Sequence, residues 1–568
     1  MTIQKGVDVL VGLVDATYAG AYTIVSGQTT GDIRISDEYV DVTHKSSTGL
    51  WREGADGAGI RNASFTVGGY LNEDSSLDSV AAAIFGTGNR HASLGFLIPG
   101  VGMVAGDFAV NLETSGALNT AAEFTLTAEN AGDVTFVPGV QDRYAMQASL
   151  VLNFVEDSYW VAGVHNTAFA SVTGASVTRA SKKWDPDWSF VSGDAVGALE
   201  EFASGVAAVG ARGLLVEATS TNGVHNPRCE GAVVGTPGTL PTGWAIDAPG
   251  ESIRSVVASG TIDGWDYVDI KFDGTPTGGF QIYFVVNNAI AASTGQTWTT
   301  SCGLQIVDGD TTNIDSISFL NAEYTSGPAY ITQGQSSALS VDGSHRRFTF
   351  TRTLDGGGTT AYTRSTIYFA WTSGAIDITL RIFAPQVENK AYPTSPVLPE
   401  SGTVDASSTR QTDVISVSNG SWASETAATL FVDAVWNYEP PSGDFSRVAA
   451  FGDAITNQLA VLAYTTTGSA VSIIDGGADN AIVTETSAAT GVNLKYALAY
   501  AVNDAACSIT GATQATDSSV DLALSSPWLA IGSATTGGSV PIGSAYIKDI
   551  QCSPRRLTNV LLEALVGN

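Results

Sequence analysis

Charge is scarce in this chain of 568 residues, and positive charge is scarcer still. Only 14% of the residues are charged, and 26 Lys and Arg stand against 56 Asp and Glu, which gives a formal net charge of −30. Tight binding of nucleic acid requires basic side chains that neutralise phosphates. The composition therefore argues against a nucleic-acid-binding protein and favours a soluble one.

Residue types that carry chemistry are also few. The four cysteines form no CxxC pair and the five histidines are far apart, so neither a zinc site nor a disulfide scaffold is predicted. The sequence contains no GxSxG or HExxH motif. We therefore expect no enzyme and no cofactor. A glycosidase carboxylate pair stays open, because the separation of its members is a tertiary property.

One turn offers weak calcium-binding chemistry. In "VDGDTTNID", the carboxylates of Asp308, Asp310 and Asp315 lie close together in sequence, but the EF-hand spacing and its closing Glu are missing. A solvated acidic turn is the simpler interpretation. Apolar runs are short as well: none reaches the roughly 18 residues of a membrane span, and the first residues lack the pattern of a secretory signal. We expect synthesis in a cytoplasm and no membrane insertion.

Period-two alternation is the dominant pattern, and it predicts a mainly β protein. In "RNASFTVGG" and "AAEFTLTAEN" the apolar residues fall on one face of each strand. These residues are Ala63, Phe65, Val67, Phe124, Leu126 and Ala128. The segment "SSLDSVAAAIFG" has helical spacing instead. We therefore expect an N-terminal β-sandwich or barrel with one α-helix, and a second short helix in "RRLTNVLLEALVG" at the end of the chain.

The pattern divides the chain into four parts. Residues 1–156 form the first domain, and 157–222 are a connecting segment that alternatively completes the last sandwich. Residues 223–397 and 398–568 contain many short strands with turn signals between them, such as "FQIYFVV", "STIYFAW" and "ATLFVDAVW". Such regular spacing indicates two β-sandwiches of the jelly-roll kind.

Residues 1 to about 140 resemble the siphophage major tail protein, or tail tube protein, family. The segments "QKGVDVLVGL", "YTIVSGQTTGDIRISDEYVDVTHKSSTGLWRE", "GAGIRNASFTVGG", "FLIPGVGMVAGDFAVNLETSG" and "AAEFTLTAENAGDVTF" occur in the family's order and spacing. The resemblance implies a structural protein that forms rings, commonly hexameric, stacked into a tube through which the genome passes. A lumen lined with Asp and Glu would let DNA slide without sticking.

The rest of the chain resembles modules attached to phage tail proteins. "NPRCEGAVVGTPGTLPTGWAI", "AASTGQTWTTSCGLQIVDG" and "RIFAPQVENKAYPTSPVLP" look like a carbohydrate-binding-module jelly roll. The part from "ASSTRQTDVISV" to the end looks like a laminin-G or concanavalin sandwich. "ASVTRASKKW" and "ARGLLVEATSTN" resemble the lead-in of such modules, although "SKKWDPDWSF" departs from the pattern.

Two groups of site residues follow from these resemblances. In the tail tube family a long loop reaches the adjoining ring, which makes Trp51 an aromatic anchor and Arg52, Glu53 and Arg61 its charged neighbours at a ring-ring interface. The alternative is that Trp51 covers its own domain. The jelly roll suggests sugar stacking on aromatic faces. The candidates are Trp244, Trp265, Tyr267 and Trp298, with Trp371, Trp422 and Trp436 more typical of core positions.

The sequence therefore predicts a phage tail tube protein with two exposed sandwich modules, located in the virion tail after assembly in the host cytoplasm. The expected partners are copies of itself, the tail terminator and tape measure proteins, DNA that passes without specific binding, and glycans of the host surface. A tail-attached host-recognition adhesin with a tube-like docking domain is the alternative. A secreted sugar-binding or sugar-cleaving protein is the third hypothesis.

Overall fold

A computed structural model describes the chain in segments. The described residues are 10–13, 23–24, 28–37, 61–70, 91–98, 102–115, 123–138, 149–161, 164–188, 190–247, 253–286, 290–404, 406–418, 422, 424–437, 445–464, 468–485, 491–522, 524–533 and 544–567. They divide between two compact units. The first contains residues 1–151, 159–167 and 551–554, and the second contains residues 152–158, 168–550 and 555–568.

The first unit is built on one antiparallel sheet. Its strands are β1 (Leu10–Leu13), β2 (Thr23–Ile24), β3 (Gln28–Asp37), β4 (Arg61–Tyr70), β5 (His91–Ile98), β6 (Gly102–Ser115) and β7 (Glu123–Pro138). The order across the sheet is β2-β1-β5-β6-β7-β4-β3. The long strand β3 therefore lies at one edge.

The predicted alternation of this sheet is confirmed. Ala63, Phe65 and Val67 are buried in β4, whereas Thr66 is exposed. Strand β7 buries its own apolar set in the same way, and the Phe65 ring meets that of Phe108 edge to face at 5.5 Å. Residues of one parity pack together because successive side chains of a strand point to opposite faces. The predicted helix at 75–86 lies outside the described residues.

Short strands occupy the segment that precedes the jelly roll. They are β8 (Leu150–Asn153), β9 (Ser158–Val161), β10 (Val164–Asn166), β11 (Ala175–Thr178), β12 (Lys183–Asp185), β13 (Asp194–Ala195), β14 (Glu200–Phe202), β15 (Val209–Gly210), β16 (Gly213–Val216) and β17 (Ser220–Asn222). A 3-10 helix spans Phe169–Ser171. The buried strand β16 corresponds to the predicted strand in "RGLLVEA".

The jelly roll follows. Its strands are β18 (Ala245–Asp247), β19 (Arg254–Ile262), β20 (Trp265–Gly274), β21 (Phe280–Tyr283), β22 (Ile290–Ala291), β23 (Thr297–Gly309), β24 (Ser316–Tyr324), β25 (Tyr330–Gln335), β26 (Arg346–Thr353), β27 (Tyr362–Ala370) and β28 (Ile376–Glu388). One sheet has the order β13-β26-β23-β28-β20-β19, and the other has the order β18-β21-β27-β24-β25. A single apolar core joins them, in which Phe272 of one sheet meets Phe280 and Phe369 of the other at 4.7 and 5.4 Å.

A second sandwich closes the chain. Its strands are β29 (Ser408–Arg410), β30 (Val414–Val417), β31 (Ala427–Trp436), β32 (Phe445–Ala454), β33 (Asn457–Tyr464), β34 (Gly468–Asp475), β35 (Ala478–Glu485), β36 (Asn493–Ala501), β37 (Asp504–Ile509), β38 (Ala515–Asp517), β39 (Trp528–Ile531) and β40 (Ala545–Ser553). One sheet runs β11-β30-β39-β32-β33-β34-β35, and the other includes β40-β31-β36-β37-β38.

The predicted C-terminal helix is confirmed as α1 (Asn559–Val566). Thr558 caps its first turn, since the hydroxyl accepts a hydrogen bond from the backbone N–H of Leu561. Gly567 ends the helix with φ 79°, a left-handed conformation that glycine adopts without steric cost. The buried side chains of Leu562, Leu565 and Val566 fix the helix to the sandwich.

Strands of the connecting segment pair with both sandwiches. β11 pairs with β30 and β16 pairs with β40, whereas β13 pairs with β26 of the jelly roll. β17 pairs with β29, directly before the last sandwich. The mainly β fold class is thus as predicted, and residues 168–222 contribute strands to five sheets, which include sheets of both sandwiches.

Candidate functional site

The first unit presents one face that is polar and acidic. Glu113 of β6 and Glu123 and Glu129 of β7 are exposed, on the side opposite the buried Phe124 and Leu126. The register brings Glu129 opposite Ala109 and Glu123 opposite Ser115, so the three carboxylates share one face. A face of this kind repels polyanions.

Of the four residues predicted to lie at the ring-ring interface, only Arg61 belongs to the described residues. Trp51, Arg52 and Glu53 fall outside the described residues. Arg61 is the first residue of β4, and its backbone pairs with Asp37 at the end of β3. The loop between these two strands therefore begins and ends at the same end of the sheet.

A buried cluster of five charged side chains lies in the second unit, and we refer to it as the junction cluster. It consists of Arg179, Lys183, Glu217, Arg410 and Asp413. Asp413 accepts hydrogen bonds from Arg179 Nη1 at 2.7 Å and from Lys183 Nζ at 2.5 Å. Glu217 lies 3.4 Å from Lys183 and 3.1 Å from Arg410. All five side chains are buried.

The electrostatics of the junction cluster follow from its pairing. Burial pushes the pKa of both carboxylates up, because it disfavours their charged form. The adjacent cations outweigh burial, with Arg410 and Lys183 acting on Glu217 and with Lys183 and Arg179 acting on Asp413, so that both pKa values are lowered. Both carboxylates therefore stay ionised, and the attraction between them and the three cations offsets the cost of burying the charges.

The junction cluster joins three segments that are distant in sequence. Arg179 and Lys183 belong to "ASVTRASKKW", Glu217 belongs to "ARGLLVEATSTN", and Arg410 and Asp413 belong to "ASSTRQTDVISV". Ser395, which follows the last jelly-roll strand, donates to Glu217 from both its backbone N–H and its hydroxyl. The cluster thus ties the end of the jelly roll to the start of the last sandwich. The sequence analysis did not predict this cluster, because its five charged residues lie in three separate segments.

The tryptophans predicted to contact carbohydrate are buried. Trp244, Trp265 and Trp298 expose only 6%, 1% and 6% of their surface. Trp244 Nε1 donates to the carbonyl of Asn226 at 3.2 Å, and Trp265 Nε1 donates to that of Gly197 at 3.0 Å. Satisfied indole N–H groups are typical of core tryptophans.

The other aromatic candidates have varied surroundings. Tyr267 is half-buried, with the Arg381 guanidinium 3.9 Å from its ring centroid. Trp422 and Trp436 are core residues, whereas Trp371 is partly buried against the jelly-roll core. None of these positions presents a broad aromatic surface to solvent.

A group of tyrosines that is partly open to solvent lies elsewhere on the jelly roll, on the outer side of the sheet that contains β27. Cross-strand register places Tyr362 opposite Tyr324 and Tyr324 opposite Tyr330, and alternation puts Tyr368 on the same side. Tyr283 of β21, which is paired with Thr366, completes the group. We name these five tyrosines the tyrosine face. Tyr330 is 57% exposed, Tyr283, Tyr362 and Tyr368 are half-buried, and Tyr324 is buried.

Polar groups hold the tyrosine face in place. The Arg364 guanidinium lies 4.4 Å from the ring centroid of Tyr283 and 4.6 Å from that of Tyr324. The Tyr283 hydroxyl donates to Asp247 at 3.1 Å, and burial together with this carboxylate raises the pKa of Tyr283 to about 12. Fixed aromatic rings beside amides and hydroxyls are the groups that sugar recognition uses. The alternation in "FQIY" and "STIYFAW" places these tyrosines on one face of the sheet. It does not show whether that face meets the core or the solvent.

A polar cavity of about 420 Å³ opens where the jelly roll meets the lead-in segment. Its lining includes Ser220, Thr221, His225, Trp298, Asn389 and Lys390. The volume falls in the range of small-molecule sites. Of the aromatic residues predicted from sequence to contact sugar, Trp298 is the one in this lining.

Possible metal ligands and cysteine thiols can also be placed in the structure. The described residues contain no group of three or more His, Cys, Asp or Glu positioned to hold a metal ion. In the weak calcium candidate, Asp310 accepts from the backbone of Thr312 and Asp315 accepts from the hydroxyl of Thr372. All four cysteines are free and buried, and burial raises the pKa of each thiol.

A membrane-spanning helix is likewise not found within the described segments, where no helix is both long and apolar enough.

The comparisons with known proteins identify a family for the first quarter of the chain. Residues 3–136 match the family model described as phage tail tube protein. The same quarter is similar to a solved chain titled "Tail of empty GTA particle computed with helical refinement, C6 symmetry", where GTA denotes gene transfer agent. The identity is 33%, over 24% of this chain and 99% of that one, with a TM-score of 0.21. No curated protein matches.

Two further similarities concern carbohydrate-binding modules. A Ruminococcus gnavus sialidase CBM40 bound to α2,3-sialyllactose is 14% identical over 25% of this chain and 84% of that one, with a TM-score of 0.22. A structure titled "CBM4 structure and function" is 16% identical over 29% of this chain and 99% of that one, with a TM-score of 0.18. Such scores carry no argument about fold or ligand.

The family match, the 33% identity over a complete tail chain and the buried alternation of β4 and β7 all concern the same N-terminal residues. Through residues 3–136, this chain belongs to the phage tail tube protein family and is a protein of the virion tail.

Proposed function

We propose that the chain is a structural tail tube protein whose first domain assembles into stacked hexameric rings around a channel for DNA. Membership of the tail tube family is the observation that carries this proposal. The related gene transfer agent tail was solved with C6 symmetry. The two sandwiches decorate the outside of the tube, and the protein acts without catalysis. Its partners are its own copies, the terminator and tape measure proteins, and DNA in transit.

Two features of the first sheet support ring formation. Strand β3 is ten residues long, and no described strand pairs with the side of its backbone that faces away from β4. Long open edges invite pairing with another chain, and closure into a ring satisfies them. The face that carries Glu113, Glu123 and Glu129 suits a lumen, because carboxylates repel the phosphate backbone and DNA passes without binding.

Trp51 and Arg52, which were predicted from sequence to lie at the ring-ring contact, give the test of stacking. We expect Trp51→Ala and Arg52→Glu to leave the subunit folded but to shorten or abolish tubes, because an aromatic anchor or a charged partner is lost at the ring-ring contact. Negative-stain images of purified protein measure tube length, and circular dichroism checks the fold. Tubes of normal length from both variants would refute the role of these two residues. Discrete trimers from the unsubstituted chain would favour the adhesin instead.

We further propose that the tyrosine face binds neutral glycans of the host surface. Its exposed and half-buried rings supply stacking surfaces, and Gln281, Gln335 and Asp247 on the same side supply hydrogen-bonding groups. A tube presents many copies of the module, so weak single contacts add through multivalency. Contacts at Trp244, Trp265 and Tyr267 remain the competing prediction for the same module.

A pair of variants separates the two glycan sites. We expect Tyr330→Ala and Tyr368→Ala to weaken binding to host glycans severalfold to about tenfold, since each removes one stacking ring. Tyr267→Ala, on the other sheet, is the matched control and leaves binding unchanged. Glycan arrays with the full chain give the measurement. Loss in Tyr267→Ala without loss in the other two would contradict the tyrosine face.

A further inference from the structure

The polar cavity beside Lys390 contains a cation without a counter-ion. Lys390 is half-buried, and no salt bridge within the described part of the chain involves its ammonium group. The contact of Lys390 Nζ is the face of Tyr392, 5.4 Å from the ring centroid. In a chain with a formal net charge of −30, an unpaired ammonium in a cavity is unexpected. Charged groups removed from water normally find a partner.

The nearest carboxylate is engaged elsewhere. Glu388 is completely buried, and its two oxygens accept hydrogen bonds from the hydroxyl of Ser220 and from the backbone N–H and hydroxyl of Thr394. Burial lowers the pKa of Lys390, and although the Glu388 charge raises it, the net shift is downward. The Glu388 carboxylate therefore does not form an ion pair with the Lys390 ammonium group.

The remaining lining suits a ring with hydroxyl groups. His225 is half-buried, and among the described residues its side chain makes no hydrogen bond or ion pair. Asn389 and Thr221 add an exposed amide and hydroxyl, and Ile290, Ala291 and the mostly buried Trp298 complete the wall. One cation among amide and hydroxyl groups matches a sugar that carries one carboxylate.

We propose that this cavity binds an acidic monosaccharide unit, with its carboxylate on Lys390 and His225 and its hydroxyl groups on Asn389 and Thr221. The site is distinct from the tyrosine face and deepens the proposed glycan-binding role, on which it rests. Backbone contacts hold the site rigid: the Lys390 carbonyl accepts from Thr299 Oγ1 at 2.8 Å, and Gly223 N–H donates to the Val387 carbonyl at 2.8 Å. A preformed site loses little entropy on binding.

The test uses the full chain and defined probes. Glucuronic acid and N-acetylneuraminic acid carry the ring and the carboxylate, glucose carries the ring alone, and acetate and inorganic phosphate carry the charge alone. We expect calorimetric titration to show at least about tenfold tighter binding of one or both acidic sugars than of the other probes, because a charge-assisted hydrogen bond adds this much. Lys390→Met keeps the side-chain length and should remove that preference.

Lys271→Met is the matched control, because Lys271 lies on the same sandwich but is paired with Asp377 at 2.9 Å. It should bind like the unsubstituted chain. Unchanged binding of acidic sugars by Lys390→Met, or equal binding of phosphate, would overturn the proposal, as would no binding of either acidic sugar. Neutral-glycan binding that depends on Tyr330 and Tyr368 is scored separately, so failure of the acidic site is distinguishable from failure of the glycan-binding function.

Discussion

Replacement of Asp413 by Ala is expected to lower the free energy of unfolding of the second unit by about 3–5 kcal/mol, because removal of one partner leaves buried charges uncompensated. Among the described residues, Asp413 is the one carboxylate partner of Arg179 and one of two for Lys183, and all three side chains are buried. Urea denaturation followed by tryptophan fluorescence measures the loss.

Two comparison variants define the cause. Asp413→Asn keeps the shape and one acceptor oxygen, so its effect reports loss of the charge together with loss of one acceptor, because both carboxylate oxygens accept hydrogen bonds in the cluster. Asp187→Ala breaks the exposed pair with Arg212, whose side chains are 45% and 43% accessible, and should cost less than about 1 kcal/mol. If Asp413→Ala cost no more than Asp187→Ala, solvent would have to reach the junction cluster, in contradiction of its burial.

The second large effect is expected in the jelly-roll core. Phe369 is completely buried and stacks on Phe280 with ring centroids 4.5 Å apart and an interplanar angle of 8°. Phe369→Ala should destabilise the protein by about 3–5 kcal/mol, because it combines lost apolar burial with a cavity between the sheets. The same denaturation experiment gives the value.

The adjacent residue is a matched control, because it points to the opposite face of β27. Tyr368→Ala should cost about 1 kcal/mol or less in stability while it weakens glycan binding. Phe369→Ala should show the reverse, with binding retained in the folded fraction. Equal destabilisation by the two variants would show that both faces of the sheet are packed, and the tyrosine face would then be no open surface.

Local sequence predicted much of the fold because strand periodicity is a local property. Ala63, Phe65 and Val67 were assigned correctly to the buried face from their spacing alone. The predicted strand at 280–286 was too long, since β21 ends at Tyr283. Phe284 continues the apolar run but leaves the strand to pack against Trp244, with ring centroids 5.2 Å apart. An apolar run does not reveal where the backbone turns.

The candidate sites were harder to predict because they depend on which surfaces are covered. Trp244 and Trp265 lie in turn-like sequence, yet carbonyls from distant segments accept their indole N–H groups. The tyrosine face required knowledge of which sheet face meets the core. The junction cluster required pairing across 234 residues between Arg179 and Asp413. No local pattern encodes such a pairing.

The junction cluster also bears on how these modules are inherited. Each of the four ion pairs of the cluster joins two different segments of the three. A recombination event that brought in one sandwich with a foreign lead-in would leave a buried charge without its partner, and the hybrid would be unstable. An exchange that carries all three segments together avoids this. We therefore expect the two sandwiches and their lead-in to be inherited together, with recombination breakpoints before "ASVTRASKKW" and not between the sandwiches.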